Sequence, residues 1–254
     1  MSIGEIFLVT ICAVILTYNE EKYLSQCLQN LSWADEVIVL DSFSDDQTLE
    51  IAKCHNAKIV TNEFENYGSQ RQFGLDLSQS EWILFVDADE MVDESLAKEI
   101  KGVIASDCKE VGWWIPRRNF FWGNEVKYSG WYPDYQLRLM RPEYAKYDTT
   151  QVVHEVVSLA GAEGYLEQPF IHYNYDSWQE FLKKQKRYSD FEAQRWLMEG
   201  KRVKWFTFIL QPFRAFYRRY VTYEGYRDGF LGFKLSIAMV WFEMLVCKNL
   251  WKIQ

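Results

Sequence analysis

An α/β protein is predicted, with a mixed, largely parallel sheet flanked by helices and a helical extension at the C-terminus. Three observations carry that prediction. Between residues 11 and 86, continuous apolar runs of strand length alternate with segments of helical spacing, the pattern of a parallel sheet covered on both faces. Past residue 105, strand-like runs bracket an aromatic, turn-rich stretch, Asn119–Tyr135, which suits a mixed or antiparallel addition to that sheet. From Ser177 to the end the pattern is helical.

Taken in order, Ile11–Leu16 (I-C-A-V-I-L) is the first buried strand. Lys22–Leu31 follows as a helix, because Leu24, Cys27, Leu28 and Leu31 recur at the spacing of one helix face. Glu36–Leu40 is the second strand, Asp46–Cys54 a helix, Ala57–Thr61 a short third strand, Tyr67–Leu77 a helix and Trp82–Val86 the fourth strand. Asp93 suits the N-cap of the next helix. Val111–Arg117, Gln136–Met140, Val152–Val157 and Gly164–Ile171 read as later strands. Ser177–Met198 is a helix opened by a capping box of Ser177 and Glu180, and residues 203–220 and 226–252 are helical. The predicted boundaries are 1–176 for the sheet domain, with halves at about 8–105 and 106–176, and 177–254 for the helical region.

Bulk properties exclude several classes. Five scattered cysteines without C-x-x-C spacing make neither a disulfide framework nor a zinc site, and suit a reducing compartment. Three dispersed histidines are too few for a His-rich metal centre. The apolar stretch Ile6–Leu16 lacks the flanks of a signal peptide and is too short to span a bilayer, and Phe230–Trp251 is interrupted by Lys234, Glu243 and Lys248. Net charge is −8, yet residues 183–219 hold eleven Lys and Arg against three acids, a segment of +8 that leaves −16 for the rest. Such segregation calls for a partner or a surface. Trp205, Phe206, Phe208, Phe213, Phe216, Tyr217 and Tyr220 interleave with Arg214, Arg218 and Arg219, a composition that fits an interfacial helix on anionic lipid, against the plain alternative of a solvated face. Nucleic acid is disfavoured by the acidic remainder.

In open α/β sheets, ligands sit beyond the carboxyl ends of the strands. Here those ends are polar and acidic: Thr17-Tyr18-Asn19-Glu20 after the first strand, Asp41–Asp46 after the second and Asp87-Ala88-Asp89-Glu90 after the fourth. Neither G-x-G-x-x-G nor a P-loop is present, so an acidic edge without a glycine cradle implies phosphates neutralised by a metal. If the chain leaves the fourth strand extended, Asp87 and Asp89 point the same way and share one cation.

The motifs T-Y-N-E, D-S-F-S-D-D and D-A-D, then Gly130–Leu139 (G-W-Y-P-D-Y-Q-L-R-L), Val153–Glu155 (V-H-E) and Tyr226–Phe233, occur in this order over nearly the whole chain. Together they resemble the family 2 glycosyltransferases, the inverting, nucleotide-sugar-dependent GT-A group. Within it they are similar to the bacterial branch that adds β-1,4-glucose to heptose of the lipopolysaccharide inner core. Phe43 stands where that family usually has Gly, and Arg71 where Lys is also usual.

The resemblance implies a GT-A, Rossmann-like nucleotide-diphospho-sugar transferase sheet, a UDP-sugar donor and Mg²⁺ or Mn²⁺. Asp41 looks like the uracil contact, against an Asx turn as the bland alternative. Thr17 and Glu20 look like base and ribose contacts, Glu20 equally suiting a helix first turn. Arg71 suits the diphosphate, with a solvated helix face as the even alternative. Asp87 would lie near ribose and metal, and Asp89 would be the firm metal ligand. For the base that deprotonates the acceptor hydroxyl, Glu155 is first choice and Asp134 second. Trp131, Tyr132, Arg138 and His154 would face the acceptor, with packing as the alternative for the two aromatics, and Arg141 could meet an acceptor phosphate. The implied enzyme transfers a hexose, glucose first, to a lipid-linked acceptor, seated peripherally on the cytoplasmic face of the inner membrane. The alternatives are a capsule, exopolysaccharide or protein-glycan acceptor, or a catalytically silent sugar-nucleotide-binding membrane scaffold.

Overall fold

Four parallel strands form because their apolar runs need cover on both faces. In the computed structural model, which describes residues 9–149 and 157–254, these are β1 (Ile11–Thr17), β2 (Glu36–Asp41), β3 (Lys58–Thr61) and β4 (Trp82–Asp87). The helices α1 (Leu24–Asn30), α2 (Thr48–Cys54) and α3 (Tyr67–Leu77) connect them. Each predicted element in this stretch is present, with ends shifted by two residues or fewer.

Beyond β4 follow β5 (Glu90–Met91), α4 (Glu94–Ile104), β6 (Glu110–Phe121), β7 (Asn124–Val126), β8 (Asp134–Met140), β9 (Ala145–Tyr147), β10 (Val157–Leu159), β11 (Ala162–Tyr165) and β12 (Phe170–Tyr175). The sheet order is β3-β2-β1-β4-β8-β6-β12-β5, with β7 and β11 on β6 and a separate β9–β10 pair. It is mixed: β1 runs parallel to β2 and β4, while β8 runs antiparallel to β4 and β12 to β5. The single strand expected over 164–171 is two strands, β11 and β12, with a break between them.

Three helices close the chain: α5 (Trp178–Met198), α6 (Thr207–Phe216) and α7 (Gly229–Ile253). Both N-caps form, but the capping box is only half made, because Glu180 Oε2 accepts from the Asp176 amide at 3.1 Å. Ser177 Oγ accepts from the Glu180 amide, and Asp93 Oδ1 accepts from the Leu96 amide at 2.9 Å. The helix expected over 203–220 is shorter and continues as a π-helix, Tyr217–Thr222. Pro212 lies inside α6 and cannot donate to the preceding turn.

The chain divides into two compact units. The first comprises residues up to Arg117 together with Tyr135–His172, and the second comprises Arg118–Asp134 together with Tyr173–Gln254. The first has its core in Cys12, Val14, Ile38, Leu40, Ile83 and Phe85, with Leu75 and Tyr147 against them. In the second, Phe121, Tyr175 and Phe181 pack on Leu235, Ala238 and Met239, and Ala193 and Val203 pack on Val246, Cys247 and Leu250.

Candidate active site

Strand register sets the first unit's polar edge. Thr17 is level with Asp41, and Leu16 is level with Asp87, so three strand ends finish together. The loops leaving them are tied side by side. The Thr17 hydroxyl donates to Asp41 Oδ1 at 2.9 Å, and the Ser44 hydroxyl and amide donate to Asp41 Oδ1 and Oδ2 at 2.6 and 2.8 Å. The Asn19 amide donates to Ser44 Oγ, the Asp45 amide to Asn19 Oδ1 and the Glu20 amide to Thr48 Oγ1. Asp41 is fully buried and accepts three bonds. The turn offered as its bland alternative is therefore present, and the carboxylate keeps one lone-pair direction for a ring N–H. Phe43 sits on this turn with φ +62°, exposing 63% of its surface. That left-handed conformation is the physical reason a glycine suits the position.

Beside this turn lies a charged cluster. Arg71, on α3, is 1% exposed, so the solvated-face alternative is overturned. Its Nη2 lies 2.8 Å from Asp87 Oδ1, and Arg138 Nη2, from β8, lies 3.0 Å from Asp87 Oδ2. The Asp87 amide donates to Glu90 Oε2 at 3.0 Å, and Arg117 Nη1 lies 3.4 Å from Glu90 Oε1. Burial works against the charged form of Asp87, but Arg138 and then Arg71 outweigh it and hold the carboxyl well below the usual carboxylate range. Glu90 goes the other way: burial, then the Asp87 carboxylate, pushes its pKa up.

The extended exit from β4 expected of Asp87-Ala88-Asp89 is a turn at Ala88 and Asp89, because Glu90–Met91 returns at once as β5. The two aspartates therefore meet different partners. Asp87 faces guanidinium groups, whereas Asp89 Oδ2 lies 3.5 Å from His172 Nε2 on β12. Among the described residues no group of three His, Cys, Asp or Glu is placed to hold a metal. A half-buried carboxylate with an imidazole beside it fits Mn²⁺ better than Mg²⁺, with water and substrate phosphates at the other positions.

The structure thus brings together Thr17 with Asp41, and Arg71 with Asp87 and Arg138. Arg138, expected at the acceptor, lies in the charged cluster, and Arg141 stacks over Trp82 at 4.8 Å. Glu155 and His154 lie outside the described residues. In the second unit, Trp131 is half-buried against Phe121, their ring centroids 4.9 Å apart, and Tyr132 is exposed on the same loop. The sequence reading missed His172, Arg117 and Glu90. The alternation F-I-H-Y-N-Y in β12, which puts Phe170, His172 and Asn174 on one face, was the signal for His172.

Three comparisons bear on this site. Residues 12–162 match the profile described as Glycosyl transferase family 2. The lipopolysaccharide core biosynthesis glycosyltransferase LpsC of Rhizobium meliloti is 28% identical over 227 residues, covering 87% of this chain and 84% of that one. An uncharacterized glycosyltransferase of Rickettsia felis is 28% identical over 247 residues, covering 92% and 87%. Overlap with solved structures is partial: glucosyl-3-phosphoglycerate synthase of Mycobacterium tuberculosis, in complex with Mn²⁺, UDP and glucosyl-3-phosphoglycerate, is 22% identical over 44% of each chain, with a TM-score of 0.37.

Proposed function

The chain belongs to glycosyl transferase family 2, and from that premise we propose that it moves a hexose, glucose first, from a UDP-sugar to a heptose of the lipopolysaccharide inner core, with inversion. The Arg71–Asp87–Arg138 group at the level of the Thr17–Asp41 pair carries this reading. It sets two guanidinium groups beside the acidic strand ends. The similarity to LpsC, which spans most of both chains, supports the acceptor class.

Asp41 accepts the base N–H, with Thr17 and Glu20 beside base and ribose. Arg71 and Arg138, buried beside Asp87, set positive charge behind the diphosphate and steady it as the bond to the anomeric carbon breaks. Asp89 and His172 would hold a divalent cation, which would supply Lewis-acid stabilisation to the leaving diphosphate. The acceptor hydroxyl oxygen attacks the anomeric carbon, the bond to the β-phosphate oxygen breaks, and the hydroxyl proton passes to Glu155, with Asp134 as second choice. Trp131 and Tyr132 offer faces on which an acceptor sugar stacks.

The second unit supports a seat on an anionic bilayer. Trp205, Ile209, Phe213, Tyr217 and Val221 recur every fourth residue and are 70, 56, 73, 62 and 44% exposed. All of this apolar stripe but Val221 lies within the segment of +8 charge. Residues Gly225–Ile253 form a helical stretch long and apolar enough to cross a membrane, yet 44% of its most apolar window is buried. Glu243 within it is buried and bonded to Arg218 and Gln211. We read it as a core helix lying at the cytoplasmic surface of the inner membrane.

The test is hydrolysis and transfer by the purified protein, screened over UDP- and other nucleotide sugars with truncated lipopolysaccharide acceptors, with and without Mn²⁺. Metal-dependent UDP-glucose turnover and a heptose-linked product are expected. Absence of any nucleotide-sugar turnover would leave a silent binder in its place.

A further inference from the structure

The helices that read as the membrane seat also hold the loop that reads as the acceptor platform, and they do so within one compact unit. The Trp205–Val221 stripe begins just before α6 and continues along the outward face of α6 and the π-helix. Their inward face carries Ala215, which is fully buried, and four residues on, Arg219. Arg219 Nη1 donates to the Ser129 carbonyl at 2.8 Å, and its guanidinium lies 5.8 Å from the Trp131 ring centroid.

The rest of the segment grips the same loop. The Ser129 amide donates to the Tyr223 carbonyl at 2.9 Å. The Lys127 and Tyr128 amides donate to the two carboxylate oxygens of Asp228 at 3.2 and 2.9 Å. Arg227 stacks over Tyr128 at 4.4 Å. Ser129 is fully buried with φ +58°, a strained conformation that persists only where the surroundings impose it. The fit admits no side chain at Gly130, which has φ +78° and whose added Cβ would come 2.8 Å from the Tyr223 ring and 3.2 Å from Arg219 Nη1. A Cβ on Gly225 would come 2.3 Å from Ser129 Oγ. Every one of these grips lies between Arg219 and Asp228, within eleven residues of Tyr217 and seven of Val221 in the exposed stripe. The π-helical turn, a form often found at functional sites, sets Arg219 inward while those neighbours face out.

We propose that α6 and its π-helical continuation transmit bilayer contact to the acceptor loop. Seating the stripe on anionic lipid fixes Tyr128–Asp134 through Arg219, Tyr223 and Asp228, so Arg219 is a positioning residue for acceptor transfer. This rests on the membrane and acceptor roles proposed above. It adds that the loop already gripped by Arg219, Tyr223 and Asp228 is steadied further at the surface where a lipid-linked acceptor is found.

Hydrogen exchange of the peptide covering residues 126–134 tests this, with the full-length protein alone, with phosphatidylglycerol/phosphatidylethanolamine vesicles and with phosphatidylcholine vesicles. The anionic vesicles are expected to slow exchange at the Lys127, Tyr128 and Ser129 amides at least tenfold, and the neutral vesicles to leave them unchanged. Arg219→Gln should still sediment with anionic vesicles, because Arg219 faces inward, but should lose the slowing, and Arg219→Lys should recover part of it. Wild-type protein that binds the vesicles with unchanged exchange over 126–134 overturns the coupling while leaving the membrane seat intact. Failure to bind anionic vesicles at all overturns the seat and the coupling together. The wild-type comparison decides the matter even if Arg219→Gln does not fold.

Discussion

Arg71 holds Asp87 from inside the fold: its Nη2 lies 2.8 Å from Asp87 Oδ1, and the arginine side chain is 1% exposed where that of the aspartate is 30% exposed. A buried guanidinium needs its carboxylate, and removing the charge of Asp87 takes away the carboxylate that Arg71 and Arg138 share. Asp87→Asn is expected to cost about 2 kcal/mol, less than for a fully buried pair because Asp87 reaches solvent. Asp87 ionises more readily folded than unfolded, so its contribution is complete above the unfolded value of roughly pH 4 and is lost as pH falls towards the folded value. Thermal denaturation of wild type should therefore weaken more steeply between pH 5 and pH 3 than that of Asp87→Asn. Parallel slopes would show that the pair adds nothing.

Asp89 and His172 separate metal binding from this ion-pair work. Asp89→Ala and His172→Gln should each reduce Mn²⁺-dependent UDP-glucose hydrolysis by about 100-fold or more, a size typical of losing one charge-stabilising group. Both should weaken Mn²⁺ binding seen by paramagnetic relaxation of water protons, while leaving the melting temperature of the metal-free protein nearly unchanged. Full activity in Asp89→Ala would remove the metal from the mechanism assigned to this edge.

Phe43 shows stability set against function. Its φ of +62° is costly for a side chain with a Cβ and free for glycine. Phe43→Gly is expected to raise the melting temperature by about 1–3 °C, the relief of strain exceeding the extra unfolded-state entropy of glycine. If the exposed ring stacks on the nucleotide base beside Asp41, the same variant should bind UDP about tenfold more weakly by calorimetry, in line with base–aromatic stacking. A more stable variant with unchanged UDP affinity would show that the ring serves something other than the donor.

The base assignment is tested by a pair of isosteric variants. Glu155→Gln should lower transfer by about 10²–10⁴-fold, the usual weight of a general base, while UDP binding stays intact. Asp134→Asn should change transfer far less. The reverse pattern would move the proton acceptor to the Trp131–Asp134 loop.

The parallel half of the fold was legible because Ile11–Ile15 and Trp82–Val86 are apolar at every position, which only a doubly covered strand explains. That the acidic ends of these strands share one edge followed from that pattern. The burial of Arg71 was not legible: the buried face of α3 is Gly68, Gln70, Arg71, Gly74 and Leu75, a mixture with no hydrophobic periodicity to mark it. The turn at Ala88–Asp89 was hidden because its cause, the pairing of Glu90 and Met91 with Ile171 and His172, lies some eighty residues away. For the same reason His172 looked like one dispersed histidine. The π-helix was equally hidden, because its residues continue the four-residue spacing of α6 and only packing tells the two apart.

The exposed stripe gives the cleanest test of the membrane seat. Deleting residues 203–254 would strip Val246, Cys247 and Leu250 from the core around Ala193, so loss of binding would report unfolding. Trp205, Phe213 and Phe230 are 70, 73 and 80% exposed, so replacing all three with serine removes little folded-state packing. If each side chain buries about half its apolar surface at a bilayer interface, the triple change forgoes about 3 kcal/mol, roughly a 100-fold loss in vesicle affinity. Sedimentation with phosphatidylglycerol-containing vesicles should fall accordingly, with the melting temperature within about 2 °C of wild type. The residual binding should then depend more steeply on salt, because the Lys and Arg of residues 183–219 are left to carry it. Unaltered sedimentation of the triple variant would place the lipid-facing surface elsewhere on the protein.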